Sequence, residues 1–456
     1  MNDAEFERVL RECTPDVLAT LVRRGGAAGD LGTAEDALQE AVLAAARQWP
    51  TEGMPDSPRA WLVTVSSRRL VDEWRSGRAR TAREQSIARH APSDAATSPA
   101  ADRSLANAQD DTLALMLLCC HPALSRPSQV ALTLKAVGGL STRQIARAFL
   151  VPESAMAQRL SRAKARLRDV GARFVVPNSE QLGDRLVAAA HVLYVVFTEG
   201  HTATAGTALS DVSLSQEAIR LTRQLHERLP SADEVSGLLA LMLLTDARRA
   251  ARVAGDGSLV PLGEQDRSKW DAALVEEGTR LVERALPSGP VGQYQIQAAI
   301  AAVHAEAPSA AATDWHQIVA LYSMLDAVAP SAIVTLNRAV AVAHADGPSA
   351  ALVMIEPLLA DRRFRHHPRL HAVRAHLLEM DGQLRAATAS YTAAARLATN
   401  IPEQRYLNSR AAATAREEDD STRSDLEVGN PPDRAGICRQ NGGQSQPERL
   451  KLRYSR

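Results

Sequence analysis

Between positions 154 and 166 the chain carries Ser154, Gln158, Arg159, Arg162, Lys164 and Arg166. Hydroxyl and amide groups can hydrogen-bond base edges, and guanidinium and ammonium groups can neutralise phosphates. The chemistry on offer is therefore recognition of duplex nucleic acid, not bond making. From Arg143 to Arg173 eight Lys or Arg stand against two acids, in a chain whose formal charge is zero overall, so the excess is local and suits a phosphate backbone.

The elements that would position these side chains can be read from Gly138 to Arg168. Ser141 precedes Gln144 by three, the spacing at which hydroxyl and amide satisfy each other's backbone N–H groups, so a helix starts at Ser141. Ile145, Ala146 and Phe149 give it an apolar side, and Pro152 suits the first position of a second helix. On that helix Met156, Leu160, Ala163 and Leu167 recur at helical spacing and should face inward, which leaves Ser154, Gln158, Ser161, Arg162 and Arg168 outside. A short helix, a tight turn and a polar, basic second helix form the helix-turn-helix pattern. A helical hairpin with a solvated basic face would carry the same charges.

Nearer the start, Thr33 is a plausible N-cap for a helix reaching Trp49. Its stripe of Ala37, Leu38, Ala41, Val42 and Ala45 leaves Asp36, Gln39, Glu40 and Leu43 outside the packed face. Pro50, Gly53, Pro55, Asp56 and Pro58 mark a loop before another helix, which should bury Leu62, Val65 and Leu70. That helix also carries Trp61, Arg68, Arg69, Trp74 and Arg75. Basic groups among aromatics suit separated strands whose bases can stack, although a tryptophan on a helix also serves a core.

Other reactive-looking groups lack partners at workable spacing. Cys119, Cys120 and His121 cannot easily place two adjacent thiolates on one tetrahedral ion, and no second pair follows, so buried thiols at a helix end are expected. Phe197 to Gly206, with Glu199 and His201, and Gly263 to Asp271, with Trp270, have no phosphate loop, nucleophile–base pair or metal spacing. Both read as loops and helix caps that lock repeats together. No enzyme, cofactor or metal is expected.

Hydrophobic residues make up 45% of the 456-residue chain and aromatics only 4%. Alanine and leucine at helical spacing predict an all-α protein of several domains. The charged N-terminus lacks the apolar core of a signal or anchor, and the run Val235 to Leu244 is too short for a bilayer, so a cytoplasmic protein with no membrane partner is expected. Ala375, Leu378, Gly382, Ala387, Tyr391 and Ala394 have the spacing of a tetratricopeptide helix pair. Ala339, Val342, Asp346, Ala351, Ile355 and Leu358 repeat the pattern about 36 residues earlier, with a weaker copy over Ala302 to Leu321. Such pairs leave a concave surface on which a peptide or protein partner could sit. From about Glu417 the sequence is polar and aperiodic, and disorder is expected.

An AEDALQEA helix, a Pro-rich loop, WLVTVSSRRLVDEWR, a polar linker and a helix-turn-helix ending QRLSRAKARLR stand in this order. Together they resemble the extracytoplasmic-function class of bacterial sigma-70 factors. LCCHPALS, the VALTLKAVGGLSTRQIARAFLVPE run and the long C-terminal part resemble the subgroup with a tetratricopeptide-like extension. The resemblance implies two small sigma helical domains and a helical-repeat domain. Sigma domain 2 would occupy residues 1–80, a flexible linker 81–106, sigma domain 4 107–175, the extension 180–415 and a tail 417–456.

It also implies binding to core RNA polymerase through Asp36, Gln39, Glu40 and Leu43. Minus-10 contacts would fall to Trp61, Arg68, Arg69 and Arg75, minus-35 contacts to Ser154, Gln158, Arg159, Arg162, Lys164 and Arg166, and control to the extension. Many members have Ala-Arg-Asn-Arg where this chain has Ser66, Ser67, Arg68 and Arg69, and Ala155, Met156 and Ala157 leave few side chains to specify bases. A conventional helix-turn-helix regulator with a ligand- or partner-binding repeat domain is the alternative; the polar strip from Asp36 to Glu40 argues for the sigma reading.

Overall fold

The computed structural model describes residues 3–24, 31–85, 105–149, 151–175, 179–204, 206, 208–286 and 291–428. Among them the regular structure is helical, with no strand. The first unit comprises α1 (Asp3–Arg24), α2 (Leu31–Glu52) and α3 (Pro58–Gln85). Ala37, Leu38, Ala41 and Ala45 of α2 are buried as the spacing predicts, with Val42 half-buried. Thr33, however, lies inside α2, and Pro50 sits in the last turn of that helix instead of ending it. Leu62 and Leu70 of α3 are buried and Val65 is half-buried. The helix runs on to Gln85, so the expected linker over 81–106 begins as helix; residues 86–104 lie outside the described residues.

The second unit is α4 (Leu105–Cys119), α5 (Arg126–Ala136), α6 (Thr142–Ala148) and α7 (Glu153–Asp169). Ser141 caps α6 with a complete capping box. The Ser141 hydroxyl accepts from the Gln144 N–H at 3.2 Å, and the Gln144 amide oxygen accepts from the Ser141 N–H at 2.8 Å. Ser141→Ala should therefore cost about 1 kcal/mol of stability, read from the midpoint of urea unfolding. Pro152 takes the N-cap of α7, one place earlier than expected, and Met156, Leu160, Ala163 and Leu167 are all buried.

The extension runs through α8 (Ser179–His201), α9 (Val212–Arg228), α10 (Asp233–Asp246), α11 (Ala272–Ala285), α12 (Gln293–Glu306), α13 (Trp315–Val328), α14 (Ala332–Asp346), α15 (Pro348–Ala360), α16 (Pro368–Met380), α17 (Leu384–Leu397) and α18 (Ile401–Val428). The two clearest sequence repeats are α14–α15 and α16–α17. Ala339 and Ala351 of the first pair, and Ala375 and Ala387 of the second, are wholly buried, as are Ile355 and Ala394. Small residues there let paired helices approach, and the larger Ile355 and Tyr391 fill the space beside them. Gly347 and Gly382 turn the chain at φ +99° and +74°, values that disfavour any side chain. Expected disorder from Glu417 is corrected in part: α18 continues through Glu417 to Val428, and 429–456 lie outside the described residues.

Helices α10 and α12 meet at Gly237, where a Cβ would fall 2.7 Å from the backbone nitrogen of Gln295 and 2.8 Å from its Cα. Backbone cannot move aside as a flexible side chain can. Gly237→Ala should destabilise by about 1–3 kcal/mol, measured by thermal melting of the full chain.

One apolar cluster is continuous from Val9 of α1 to Ala302 of α12, passing through both N-terminal units into the extension. The repeats beyond it have smaller clusters of their own. The last loop of the extension returns to its first. Asn400, 1% exposed, donates to the carbonyls of Ala203 and Ala208 at 2.9 and 3.1 Å, and Ile401 N–H donates to Gly206 at 3.0 Å.

Candidate nucleic-acid interface

Along α7, burial of every third or fourth residue turns the remaining ones outward. Ser154, Gln158, Ser161, Arg162, Arg166 and Arg168 are exposed, and Arg159 is half-exposed. The first turns of α7 thus present a hydroxyl, an amide and guanidinium groups in one strip, as the sequence indicated. Lys164 does not belong to it. Its ammonium lies 3.0 Å from the carboxylate of Glu35 on α2, which also takes Lys135 of α5 at 3.5 Å, and both lysine side chains are only 22% exposed. In this arrangement the charge of Lys164 is paired between the first two units and does not add to the free cations of the strip. That contact is extended by Arg23, 2.8 Å from Asp111, and by the Thr112 hydroxyl donating to Asp16 at 2.7 Å.

On α2 the residues Asp36, Gln39, Glu40 and Leu43 all stand in solvent, Leu43 at 55% exposure. Leu43 thus stands as an apolar side chain among polar and acidic ones on the outer face of α2. Glu35, beside this strip, is the carboxylate that faces inward.

On α3, Arg68 and Arg69 are exposed, while Arg75 lies on the same helix beyond the residues whose side chains are described. Trp61 is placed differently. Its ring meets the buried Trp49 edge to face at 5.5 Å, and Trp49 meets Phe6 at 5.7 Å. This edge-to-face contact beside the core leaves Trp61 half-buried, with part of its ring still open to solvent.

Cys119 and Cys120 are wholly buried at the end of α4, and burial raises both thiols above their ordinary range. His121 accepts the Ala123 N–H at 3.1 Å. A cleft of 570 Å³ opens there between α5 and α8, lined by His121, Arg126, Gln129, Asp184 and Arg185. Across it Arg185 of α8 donates to the carbonyl of Leu117 at 2.9 Å, fastening the extension to the second unit. The two other reactive-looking phrases are structural. Glu199 accepts from the Thr204 N–H at 2.9 Å and hydroxyl at 2.6 Å, while Asp271 caps α11 through the N–H groups of Ala273 and Leu274. Arg267 lies 4.7 Å over the ring of Trp270 and donates to the carbonyls of His304 and Ala307.

Family models match the same units. Sigma-70 region 2 matches residues 9–80, sigma-70 region 4 matches 114–167, and a family of unknown function (DUF6596) matches 185–286. The uncharacterized protein R00370 of Rhizobium meliloti (strain 1021) is 42% identical over 382 residues, 83% of this chain and 89% of that protein. The probable ECF RNA polymerase sigma factor SigI of Mycobacterium tuberculosis (strain H37Rv) is 34% identical over 143 residues, 31% of this chain and 48% of that protein. No solved structure matches.

The chain belongs to the sigma-70 family, as a factor of the extracytoplasmic-function type with a helical C-terminal extension. It is thus a DNA-binding protein of transcription initiation, and its two sigma domains imply core RNA polymerase and promoter DNA as partners. No described helix is long and apolar enough to cross a membrane.

Proposed function

We propose that this protein binds core RNA polymerase through Asp36, Gln39, Glu40 and Leu43, and directs initiation in the cytoplasm at promoters it selects by its two sigma domains. Arg68, Arg69 and Arg75 meet the minus-10 strands. Ser154, Gln158, Arg159, Arg162 and Arg166 meet the minus-35 duplex, the arginines on phosphates and the hydroxyl and amide at base edges. The observation that carries this reading is the exposure of both strips, on α2 and on α7, by helices whose opposite faces are fully packed.

The extension controls this activity. Support comes from the apolar core shared by the sigma domains and α8 to α12, and from the Arg185 contact to Leu117, which join the extension to the sigma domains more firmly than a tether would. The two promoter elements lie ~25 base pairs apart, or ~85 Å along B-DNA at 3.4 Å per base pair. Domains held together at Glu35 cannot reach both at once, so engagement requires the contacts of Lys135 and Lys164 with Glu35 to break. The extension is placed to set how readily they do.

Run-off transcription with purified core polymerase on fragments from a genomic library tests the proposal, comparing the full chain with one ending near Arg173. Transcripts that require the added protein are expected, and the difference between the two chains gives the sign of control. If neither directs initiation while the full chain retains specific duplex fragments alone, a conventional DNA-binding regulator replaces this reading.

A further inference from the structure

At the seam between the second unit and the extension, the cleft of 570 Å³ has two walls that are distant in the chain. One is the turn after α4 with the first turn of α5, which brings His121, Arg126 and Gln129. The other is the start of α8, which brings Asp184 and Arg185. The volume is that of a site for a small organic molecule, far more than a lone ion needs.

The polar groups of the cleft are set in place from behind. The Gln129 amide, 3% exposed, donates to the carbonyls of Cys120 and His121 at 3.3 and 3.0 Å, and its oxygen accepts from the Arg126 guanidinium at 3.3 Å. Arg126 is thereby oriented through one of its five donors, and Arg185 through the one that reaches the Leu117 carbonyl at 2.9 Å. Both arginines and Asp184 line one cleft, yet among the described residues no ion pair joins any of the three to a partner. Arg126 opens α5, whose first turn holds no acid, so the positive end of the helix adds to its charge. His121 accepts the Ala123 N–H at Nδ1, which leaves the proton of the neutral ring on Nε2 as a donor. Burial, with Arg185 and Arg166 nearby, holds this imidazole below its ordinary basicity and so neutral at pH 7. The cleft therefore offers a surplus of donors, two of the groups charged, against a single carboxylate, and Leu124 and Ala188 give it an apolar part.

We propose that this cleft binds a small hydroxylated organic anion, whose phosphate or carboxylate lies against Arg126 and Arg185 and whose hydroxyl groups donate to Asp184. The planar fork of an arginine matches either oxyanion, and hydrogen bonds between charged groups are about twice as strong as neutral ones. A carboxylate among the cations repels a bare anion, and it becomes favourable only when the ligand brings donors of its own. Because the ligand touches α5 and α8 together, it fastens the extension to the second unit beside the contact of Arg185 with Leu117. The binding does not rest on the sigma reading, whereas a change of initiation on binding does.

The test is calorimetric titration of the full chain, without polymerase, with glucose 6-phosphate and, separately, with citrate. Saturable one-to-one binding of at least one is expected, and the preferred probe identifies the oxyanion. Arg126→Gln, at an exposed position, should weaken binding at least about tenfold, while Arg396→Gln, at an exposed position of α17, should leave it unchanged. Asp184→Asn separates a built site from a patch of positive charge. Loss of the hydroxyl contacts should weaken binding severalfold, whereas simple attraction to the arginines would be strengthened by removing the negative charge. Failure of both probes to bind, undiminished binding by Arg126→Gln, or tighter binding by Asp184→Asn overturns the proposal.

Discussion

Arg in place of both Asp36 and Glu40 is expected to abolish retention of the chain on immobilised core RNA polymerase while its melting temperature stays within a few degrees of the parent. Both side chains are exposed on α2, and exposed substitutions away from caps and core usually stay within about 0.5 kcal/mol. Across an interface the arithmetic differs. Two negative charges become two positive ones, and like-charge juxtaposition at a complementary surface costs several kcal/mol, on the order of a hundredfold in affinity or more. Leu43, 55% exposed in the same strip, would anchor the apolar part of that surface. Undiminished retention of a folded double variant would remove the polymerase-binding assignment from α2 altogether.

Glu35→Ala is the second large effect, and it acts on the arrangement of the sigma domains rather than on their surfaces. The carboxylate faces Lys164 at 3.0 Å and Lys135 at 3.5 Å, each lysine only 22% exposed. Removing it leaves two half-buried ammonium groups repelling one another. Loss of one partner from a buried pair costs about 3–5 kcal/mol, and the residual solvent contact here brings the expectation to about 2–3 kcal/mol. The penalty falls on the contact between the two domains, so it loosens that contact against the apolar core they share. Small-angle scattering should show a larger radius of gyration, and run-off initiation should increase if parting limits promoter engagement. Adding Lys164→Met to Glu35→Ala should recover part of the compactness. A scattering curve and melting profile identical to the parent would show that Glu35 holds nothing together. On α7, Arg162→Ala should lower the salt dependence of promoter binding by about one counterion, while Lys164→Ala should also loosen the contact with Glu35.

The parts of this protein that the sequence made legible are those in which the informative residues are neighbours along the chain. A capping box is an i, i+3 relation, so Ser141 and Gln144 announced α6 by themselves. Burial on α7 and α2 follows a 3.6-residue period, so Met156 to Leu167 and Ala37 to Ala45 marked the packed faces, and their exposed complements followed by subtraction. The repeat of Ala339 and Ala351 by Ala375 and Ala387 showed the helix pairs because each pair is a local unit.

Tertiary structure alone decided what happens between distant residues. Lys164 looked like one more phosphate-binding cation because its partner, Glu35, stands 129 residues away. Trp61 looked available for stacking because Trp49 reaches it only after α2 and α3 fold together. The closure of the extension at Thr399, whose hydroxyl donates to the Thr204 carbonyl 195 residues away, has no local signal at all. Periodicity reports which side of a helix is buried, because that depends on a repeat a few residues long. What the exposed side meets depends on the path of the whole chain, so charge partners and ring closure become visible only when the helices are assembled.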